Sequence, residues 1–336
     1  MRLKTKIIST DNVSKKTLRD FVPKLTPEQR AEGERQLAAA GVEQRSLRIS
    51  PECWEVFLGD PEKIVRITGL AGENAEQACY ALDSVIKTCP AFAEQLAELV
   101  KIAEAAGDHT HRAYYAVAQL LKKRPELGER PGELRDIAVA SGIDAGRAFQ
   151  ALEHILKAWP GWGAELPALA ASFRKIKEAA REAAGRAFKT LGEIVMQNPL
   201  LAQKLAGLVA AAQIAGPYTE CALSGLCVII RDRPDLADKL GMFEAPFQKI
   251  EDPAGWNYLE LACRTLGQLT KAWPEQVGDK LHLFALLGGR FREKTWDIYQ
   301  ILFNMIKEGL LGEDNFDQTV QELLQDGEKA LQRMKE

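Results

Sequence analysis

The sequence predicts an all-α chain built as a right-handed α-solenoid of about six helical hairpins, with capping helices at both ends. Three observations lead to this prediction. Proline and alanine recur at a nearly constant interval, the apolar residues around them follow helical spacing, and strand signals are nearly absent. Aromatic residues make up only 7% of the chain, and alanine, the best helix former, is common. We therefore expect closely packed helices rather than a β-rich domain.

Proline and alanine together mark the repeat, with intervals of 35, 35, 39, 35 and 40 residues between successive prolines. An alanine stands twelve residues before each proline, and apolar residues follow that alanine at helical spacing. The prolines are Pro90, Pro125, Pro160, Pro199, Pro234 and Pro274, and the alanines are Ala78, Ala113, Ala148, Ala187, Ala222 and Ala262. Each segment from alanine to proline is predicted to be the second helix of a hairpin.

The segments between these helices predict the first helix of each following hairpin. A proline is tolerated in the first turn of that helix, because its missing N–H would have no partner there. The helix should end near a glycine, and the candidates are Gly107, Gly142, Gly216-Pro217 and Gly288-Gly289. One hairpin cannot bury its apolar face alone, whereas a stack of hairpins can.

Both ends of the chain depart from the repeat. Thr26-Pro27, Ser50-Pro51 and Asp60-Pro61 are each followed by glutamate, and each combination predicts the start of a helix. We therefore divide the chain into a flexible basic arm (1–24), N-terminal capping helices (25–77), core helical repeats (78–289), and a C-terminal cap with an acidic helix (290–336).

The repeat pattern, Ala-x-x-small-Leu-x-x-Ile followed by Pro-x-Leu, resembles HEAT and armadillo repeats over roughly residues 61–308. The tetratricopeptide repeat is the alternative, because its second helix has similar alanine and proline spacing. Its strict period of about 34 residues fits less well with intervals that drift from 35 to 40. Either resemblance implies a protein that binds other macromolecules along a concave surface.

Composition argues against several classes of function. A net charge of −3 and a pI near 6.0 give no support for bulk nucleic-acid binding. No apolar run approaches the length of a membrane span, and the cysteines form no CxxC pair, which fits a reduced cytoplasmic compartment. His109 and His111 are two residues apart and would point apart on a helix. We expect no metal, no cofactor and no membrane contact.

Enzymes on HEAT-like folds remain a less favoured alternative. The resemblance includes DNA alkylpurine glycosylases, whose clefts combine tryptophans with basic residues, and bilin lyases. Trp159 and Trp273 each precede a repeat proline, and Trp162 takes the leucine position two residues after one. These positions favour packing between repeats over a catalytic role. No nucleophile and base arrangement can be identified from the sequence.

A basic residue recurs near the end of most second helices, nine residues after the repeat alanine. The set, which we call the basic ladder, is Lys87, Lys122, Lys157, Arg231 and Lys271, with Met196 as the exception. A cation in the last helical turn is favoured by the negative end of the helix dipole, which is a purely structural explanation. The functional explanation is a basic stripe for an acidic peptide or another anionic polymer.

A second row lies two residues after each alanine, seven residues before the ladder and so on the same helix face. It comprises Tyr80, Tyr115, Gln150, Lys189, Ser224 and Arg264. Tyrosine and arginine are typical of protein-binding surfaces. The predicted partner-binding residues are therefore Tyr80, Lys87, Tyr115, Lys122, Lys157, Arg231, Arg264 and Lys271.

These observations predict a non-enzymatic scaffold or adaptor that binds a protein partner along the concave face of the stack. The alternative is a nucleic-acid-associated solenoid that contacts phosphates through the basic ladder, although the pI disfavours it.

Overall fold

The computed structural model describes residues 17–44, 49–232 and 294–326, together with scattered positions from 234 to 291 and residue 332. The described part of the chain contains α-helices and short 3₁₀ segments and no strand, so the all-α prediction is confirmed. The first helices in the chain are α1 (Pro27–Ala39), α2 (Pro51–Gly59) and α3 (Pro61–Ala71). They begin at the three predicted prolines.

The repeats follow as pairs of helices, in which second helices of 14 residues alternate with first helices of 11 residues, one of which is extended to 15. They are α4 (Ala75–Thr88), α5 (Leu96–Ala106), α6 (Thr110–Lys123), α7 (Pro131–Ser141), α8 (Ala145–Ala158), α9 (Leu166–Ala180), α10 (Ala184–Gln197), α11 (Leu205–Ala215) and α12 (Thr219–Asp232). Near the C-terminus lie α13 (Thr295–Lys307) and α14 (Glu313–Asp326).

Two layers of helices enclose the core. Each first helix (α3, α5, α7, α9, α11) packs on the next first helix, and each second helix (α4, α6, α8, α10, α12) packs on the next second helix. The repeat alanines from Ala78 to Ala222 are fully buried, and those from Ala113 to Ala222 belong to one hydrophobic cluster. Alanine recurs there because its small side chain lets neighbouring helices approach closely.

Glycine with a positive φ angle opens the turn inside most hairpins. The φ angles are 54° at Gly72, 57° at Gly107, 61° at Gly142 and 56° at Gly216. Three of these glycines are predicted hairpin ends, whereas Gly288-Gly289 lies outside the described residues. Arg181 occupies the equivalent position between α9 and α10 with φ 51° and ψ −117°. A side chain with a Cβ is strained in this conformation, because the region is accessible almost only to glycine.

The sequence predicts that each repeat proline lies in the first turn of the next α-helix, and this prediction is wrong for Pro90, Pro125, Pro160 and Pro199, each of which begins a 3₁₀ segment instead. Pro274 lies outside the described residues. Pro90 starts a 3₁₀ segment that ends at Gln95, and α5 begins only at Leu96. The preceding residue, Cys89, is extended at φ −136° and ψ 92°, because the proline ring excludes the helical conformation before it. The chain therefore uses one tight turn between the two helices.

The longer interval between Pro160 and Pro199 is explained by one helix. α9 has 15 residues, whereas its counterparts α5, α7 and α11 have 11 each. The four additional residues equal about one helical turn. This extra turn leads into the strained residue Arg181.

Hydrogen bonds of buried tyrosines connect the two helices of a hairpin. The Tyr114 hydroxyl donates to the Leu99 carbonyl oxygen at 2.7 Å, and the Tyr299 hydroxyl donates to the Phe284 carbonyl oxygen at 2.7 Å. Both bonds span fifteen residues. α13 therefore packs on the preceding segment with the same contact that α6 makes in the repeats.

Among the described residues, the stretch Pro199–Arg231 is long and apolar enough by composition to cross a membrane, and 53% of its apolar window is buried. The stretch contains α11 and α12, separated by the turn at Gly216. α11 packs on α9 and α12 packs on α10, so these helices belong to the two layers of the core.

Candidate functional site

A cavity of about 900 Å³ crosses the layer of second helices at the N-terminal ends of α4, α6, α8 and α10. The hairpin turns before these helices form one rim of the cavity, where His109, Ile143 and Glu182 lie. The cavity is therefore built from the same positions of consecutive repeats.

Pairs of side chains one helical turn apart line the cavity. They are Gln77 with Tyr80 on α4, Arg112 with Tyr115 on α6, and Arg147 with Gln150 on α8. Residues three apart share a helix face. The first member of each pair precedes the repeat alanine by one residue, and the second follows it by two. Helix stacking thus aligns two parallel rows of side chains.

A second cavity of about 370 Å³ continues along the same layer between α10 and α12. Lys189, Ser224 and Arg231 line it, and Arg186 lines both cavities. We refer to the two adjoining cavities, from Glu76 to Arg231, as the groove.

The predicted partner-binding residues divide into three groups. Tyr80 and Tyr115 line the first cavity with 58% and 56% of their surfaces exposed, and Arg231 lines the second. Lys87, Lys122 and Lys157 line neither cavity. Arg264 and Lys271 lie outside the described residues.

Lys87 has an internal partner, the buried carboxylate of Asp83, at 2.6 Å. Asp83 also accepts hydrogen bonds from the Ser50 backbone N–H at 3.1 Å and the Ser50 hydroxyl at 2.6 Å. Burial opposes ionisation of Asp83, but the hydrogen bonds from Lys87 and Ser50 outweigh it and lower the pKa of Asp83. Lys87 therefore helps to join the start of α2 to α4.

Lys122 and Lys157 are exposed in the last turns of α6 and α8. Neither forms an ion pair with another residue in the part of the chain that the structure describes. Their positions match the negative ends of the helix dipoles, as the structural explanation of the basic ladder requires.

An arginine row in the groove is absent from the predicted site. Arg112, Arg147 and Arg186 each stand one residue before the repeat alanine on three consecutive second helices. Aligning the repeats on their alanines shows this shared register in the sequence, because an arginine stands directly before the alanine in three consecutive repeats. Arginine is favoured where carboxylates or phosphates are bound, because its planar guanidinium can donate two parallel hydrogen bonds.

Side chains in the hairpin turns fix neighbouring repeats at the rim of the groove. The Asn74 side-chain amide donates to the Asp108 carbonyl oxygen at 3.1 Å, and His109 Nδ1–H donates to the Ile143 carbonyl oxygen at 3.2 Å. Each bond spans 34 residues, from one hairpin turn to the next. His109 thus has a structural partner at its Nδ1 atom.

Partial burial changes the ionisation of two groups in the first cavity. Burial raises the pKa of Asp144, although His109, Lys177 and Arg147 nearby favour its charged form. Burial and the neighbouring Arg112 lower the pKa of His111, although the Asp108 carbonyl oxygen opposes this. Among the described residues, no group of three or more His, Cys, Asp and Glu side chains is placed to hold a metal ion.

The formal positive and negative charges of the side chains that line the first cavity balance. Three guanidinium groups (Arg112, Arg147, Arg186) and three carboxylates (Glu76, Asp144, Glu182) line it. Arg186 pairs with Glu220 at 2.5 Å, outside this set. Arg147 donates to the Gln150 side-chain oxygen at 3.2 Å. The lining is therefore mixed in sign, with aromatic surface from Tyr80 and Tyr115.

Two buried cysteines close to the N-terminal repeats are poor nucleophiles. Burial raises the pKa of Cys79 to about 12, and burial is also the main cause that raises the pKa of Cys53 to about 12. A thiol with such a pKa stays protonated at neutral pH, and the thiolate is the reactive form.

No family model, curated protein or solved structure matches this chain. The HEAT and armadillo resemblance therefore remains an expectation drawn from the repeat pattern, and the groove is the basis for assigning a function.

Proposed function

We propose that this chain is a right-handed α-solenoid of the HEAT or armadillo type that acts as a non-enzymatic protein-interaction scaffold. An extended segment of a protein partner would lie in the groove, across the successive second helices. The observation that carries this proposal is the repetition of lining pairs on α4, α6 and α8. A ligand that runs across the helices meets an equivalent pair at each step.

The composition of the groove supports a protein ligand. Tyrosine and arginine are enriched among residues that contribute most to protein–protein binding. Tyr80 and Tyr115 are more than half exposed and add little to the core. A polyanion would meet three carboxylates in the same cavity as the three arginines. Because a peptide can alternate charged and apolar side chains, it suits a mixed lining better than a nucleic acid does.

The cellular setting that we propose is the cytoplasm, with a protein partner and without cofactor, metal or membrane. Cysteines described as free thiols, such as Cys53 and Cys79, are compatible with a reducing compartment.

Copurification of a partner with the wild-type chain and with a Tyr80→Ala/Tyr115→Ala variant tests the proposal. Both tyrosines are exposed, so we expect folding stability to change by less than about 0.5 kcal/mol. The partner should be lost from the variant. Leu200→Ala is the matched control, because Leu200 is equally exposed at 58% and lies outside the groove. Equal recovery of the partner from all three chains would contradict the proposal.

A further inference from the structure

We infer that the groove recognises an acidic side chain of the partner segment, and that Arg112 and Arg147 bind its carboxylate from two neighbouring helices. This inference rests on the proposed function and adds the chemistry of the ligand. It assigns the centre of the first cavity, where α6 and α8 face each other, as the position of the carboxylate.

Arg112 and Arg147 occupy the same repeat position on α6 and α8, and both are exposed in the first cavity. Neither guanidinium forms an ion pair within the described part of the chain. The third arginine, Arg186, already pairs with Glu220. Two of the three cationic groups therefore retain donors for a ligand.

Gly146 explains why these two arginines can serve one ligand group. A Cβ atom at Gly146 would lie only 3.1 Å from the carbonyl carbon and the Cβ atom of Arg112. The backbone of α8 thus lies directly against the base of the Arg112 side chain. Arg147 follows Gly146 in sequence, so the two arginines start from positions held close together. Cationic side chains that start from such neighbouring positions repel each other when their guanidinium groups converge, and a carboxylate bound by both would offset that repulsion.

The remaining lining selects one isolated carboxylate over a chain of phosphates. Tyr115 lies one helical turn from Arg112, and the exposed side chain of Ile143 stands at the rim. Asp144 and Glu182 lie on the side towards α10, and Glu76 lies on α4. A nucleic acid would place a phosphate near each of these carboxylates and be repelled by them. A peptide with one acidic residue between apolar or basic residues would place its single carboxylate near the two arginines instead. The expected ligand is a peptide with one central Asp or Glu.

Selection from a phage-displayed library of random dodecapeptides tests the inference, with counter-selection against the Tyr80→Ala/Tyr115→Ala variant. We expect the enriched peptides to contain Asp or Glu next to apolar residues. A synthetic peptide from this set should bind the Arg112→Gln/Arg147→Gln variant roughly tenfold more weakly or worse, since hydrogen bonds between charged groups are lost. Arg174→Gln is the matched control, because Arg174 is exposed on α9 outside the groove.

Replacing the acidic residue of the peptide by its amide completes a double-mutant cycle. If the carboxylate and the arginines interact directly, the amide peptide should bind the wild-type chain about as weakly as the acidic peptide binds the arginine variant. Combining the amide peptide with the arginine variant should weaken binding little further. Peptides that depend on the tyrosines but not on the arginines would overturn this inference and leave the proposed function standing. Displacement of the peptide by single-stranded DNA at physiological salt would overturn it in favour of a polyanion. No enrichment above counter-selection would overturn both proposals.

Discussion

At the scale of single residues, several side chains have roles that depend on partners far away in the sequence. Asp83 is the clearest case, since it is only 3% exposed and is held by Ser50 and Lys87. Arg181 is the opposite case, because its backbone conformation is strained in a position where the other described hairpin turns have glycine. The two residues lead to opposite predictions for stability.

Replacing Asp83 with asparagine should lower the free energy of unfolding at pH 7 by about 1–3 kcal/mol, because hydrogen bonds to a buried charge are lost. The pKa of Asp83 is lowered in the folded state, so as the pH falls the Asp83 carboxylate becomes protonated in the unfolded state before it does so in the folded state. The carboxylate therefore stabilises the fold above the unfolded-state pKa near 3.8, and this contribution is lost as pH falls through the folded-state pKa.

Urea unfolding from pH 7 down to pH 2 measures this effect. The difference between wild type and Asp83→Asn should shrink as the pH falls. Asp108→Asn is the matched control, since the Asp108 side chain is 72% exposed. A difference that stays constant over the whole pH range would show that ionisation of Asp83 does not stabilise the fold.

Replacing Arg181 with glycine should raise the free energy of unfolding by about 1 kcal/mol, because glycine adopts the φ of 51° and ψ of −117° at this position without strain. Thermal unfolding measures the gain. Arg181→Ala separates this cause from any effect of the charge, since alanine keeps the Cβ atom and should bring no comparable gain. Equal stabilisation by alanine and glycine would contradict the explanation that a Cβ atom at position 181 strains the backbone.

At the scale of elements, the hairpins are held by contacts that recur from one repeat to another. Tyr114 and Tyr299 each donate a buried hydrogen bond across fifteen residues to the preceding helical segment. Tyr115, the neighbour of Tyr114, points into the groove instead. Adjacent tyrosines on one helix therefore serve the core and the surface separately.

Tyr114→Phe should lower the free energy of unfolding by about 1–2 kcal/mol, because the buried hydrogen bond from the Tyr114 hydroxyl to the Leu99 carbonyl oxygen is lost. Tyr115→Phe should change it by less than about 0.5 kcal/mol, because the hydroxyl is exposed to solvent. Denaturant unfolding of the two variants provides the comparison. Equal costs would mean that the two tyrosines are not divided between core and groove.

The elements also show what the sequence could predict. The alanine and proline register predicts the second helices, and Gly107, Gly142 and Gly216 mark real turns because their positive φ angles favour glycine. Arg181 conceals the equivalent turn, since nothing in an arginine indicates a positive φ angle. The sequence does not distinguish the 3₁₀ segments after the repeat prolines from the first turn of an α-helix, because both have the same sequence signals.

The site was less predictable than the helices. Tyr80 and Tyr115 follow from helical periodicity, and the structure places them in the groove. The basic ladder has the same periodicity, yet Lys87 is engaged by Asp83, whose burial depends on Ser50 from a distant helix. The arginine row shares a register that is visible in the sequence, but the sequence does not show that Arg186 pairs with Glu220 whereas Arg112 and Arg147 form no ion pair among the described residues.

At the scale of the whole molecule, two layers of helices pack around a continuous core and leave the groove on the second-helix layer. If the chain is the solenoid that we propose, each added repeat extends the surface on which a partner could bind. We propose that one extended partner segment crosses several second helices, so that binding depends on the continuity of the groove more than on the strength of any single contact.

The most direct measurement is a photo-crosslinking scan, with a photoreactive amino acid placed in turn at Tyr80, Tyr115 and Gln150. Val139 is the matched control, since it is about half exposed on α7, in the layer of first helices. We predict crosslinks to successive parts of one partner segment from the three groove positions and none from Val139. Crosslinks from Val139 as efficient as those from the groove, or from only one of the three helices, would contradict the account.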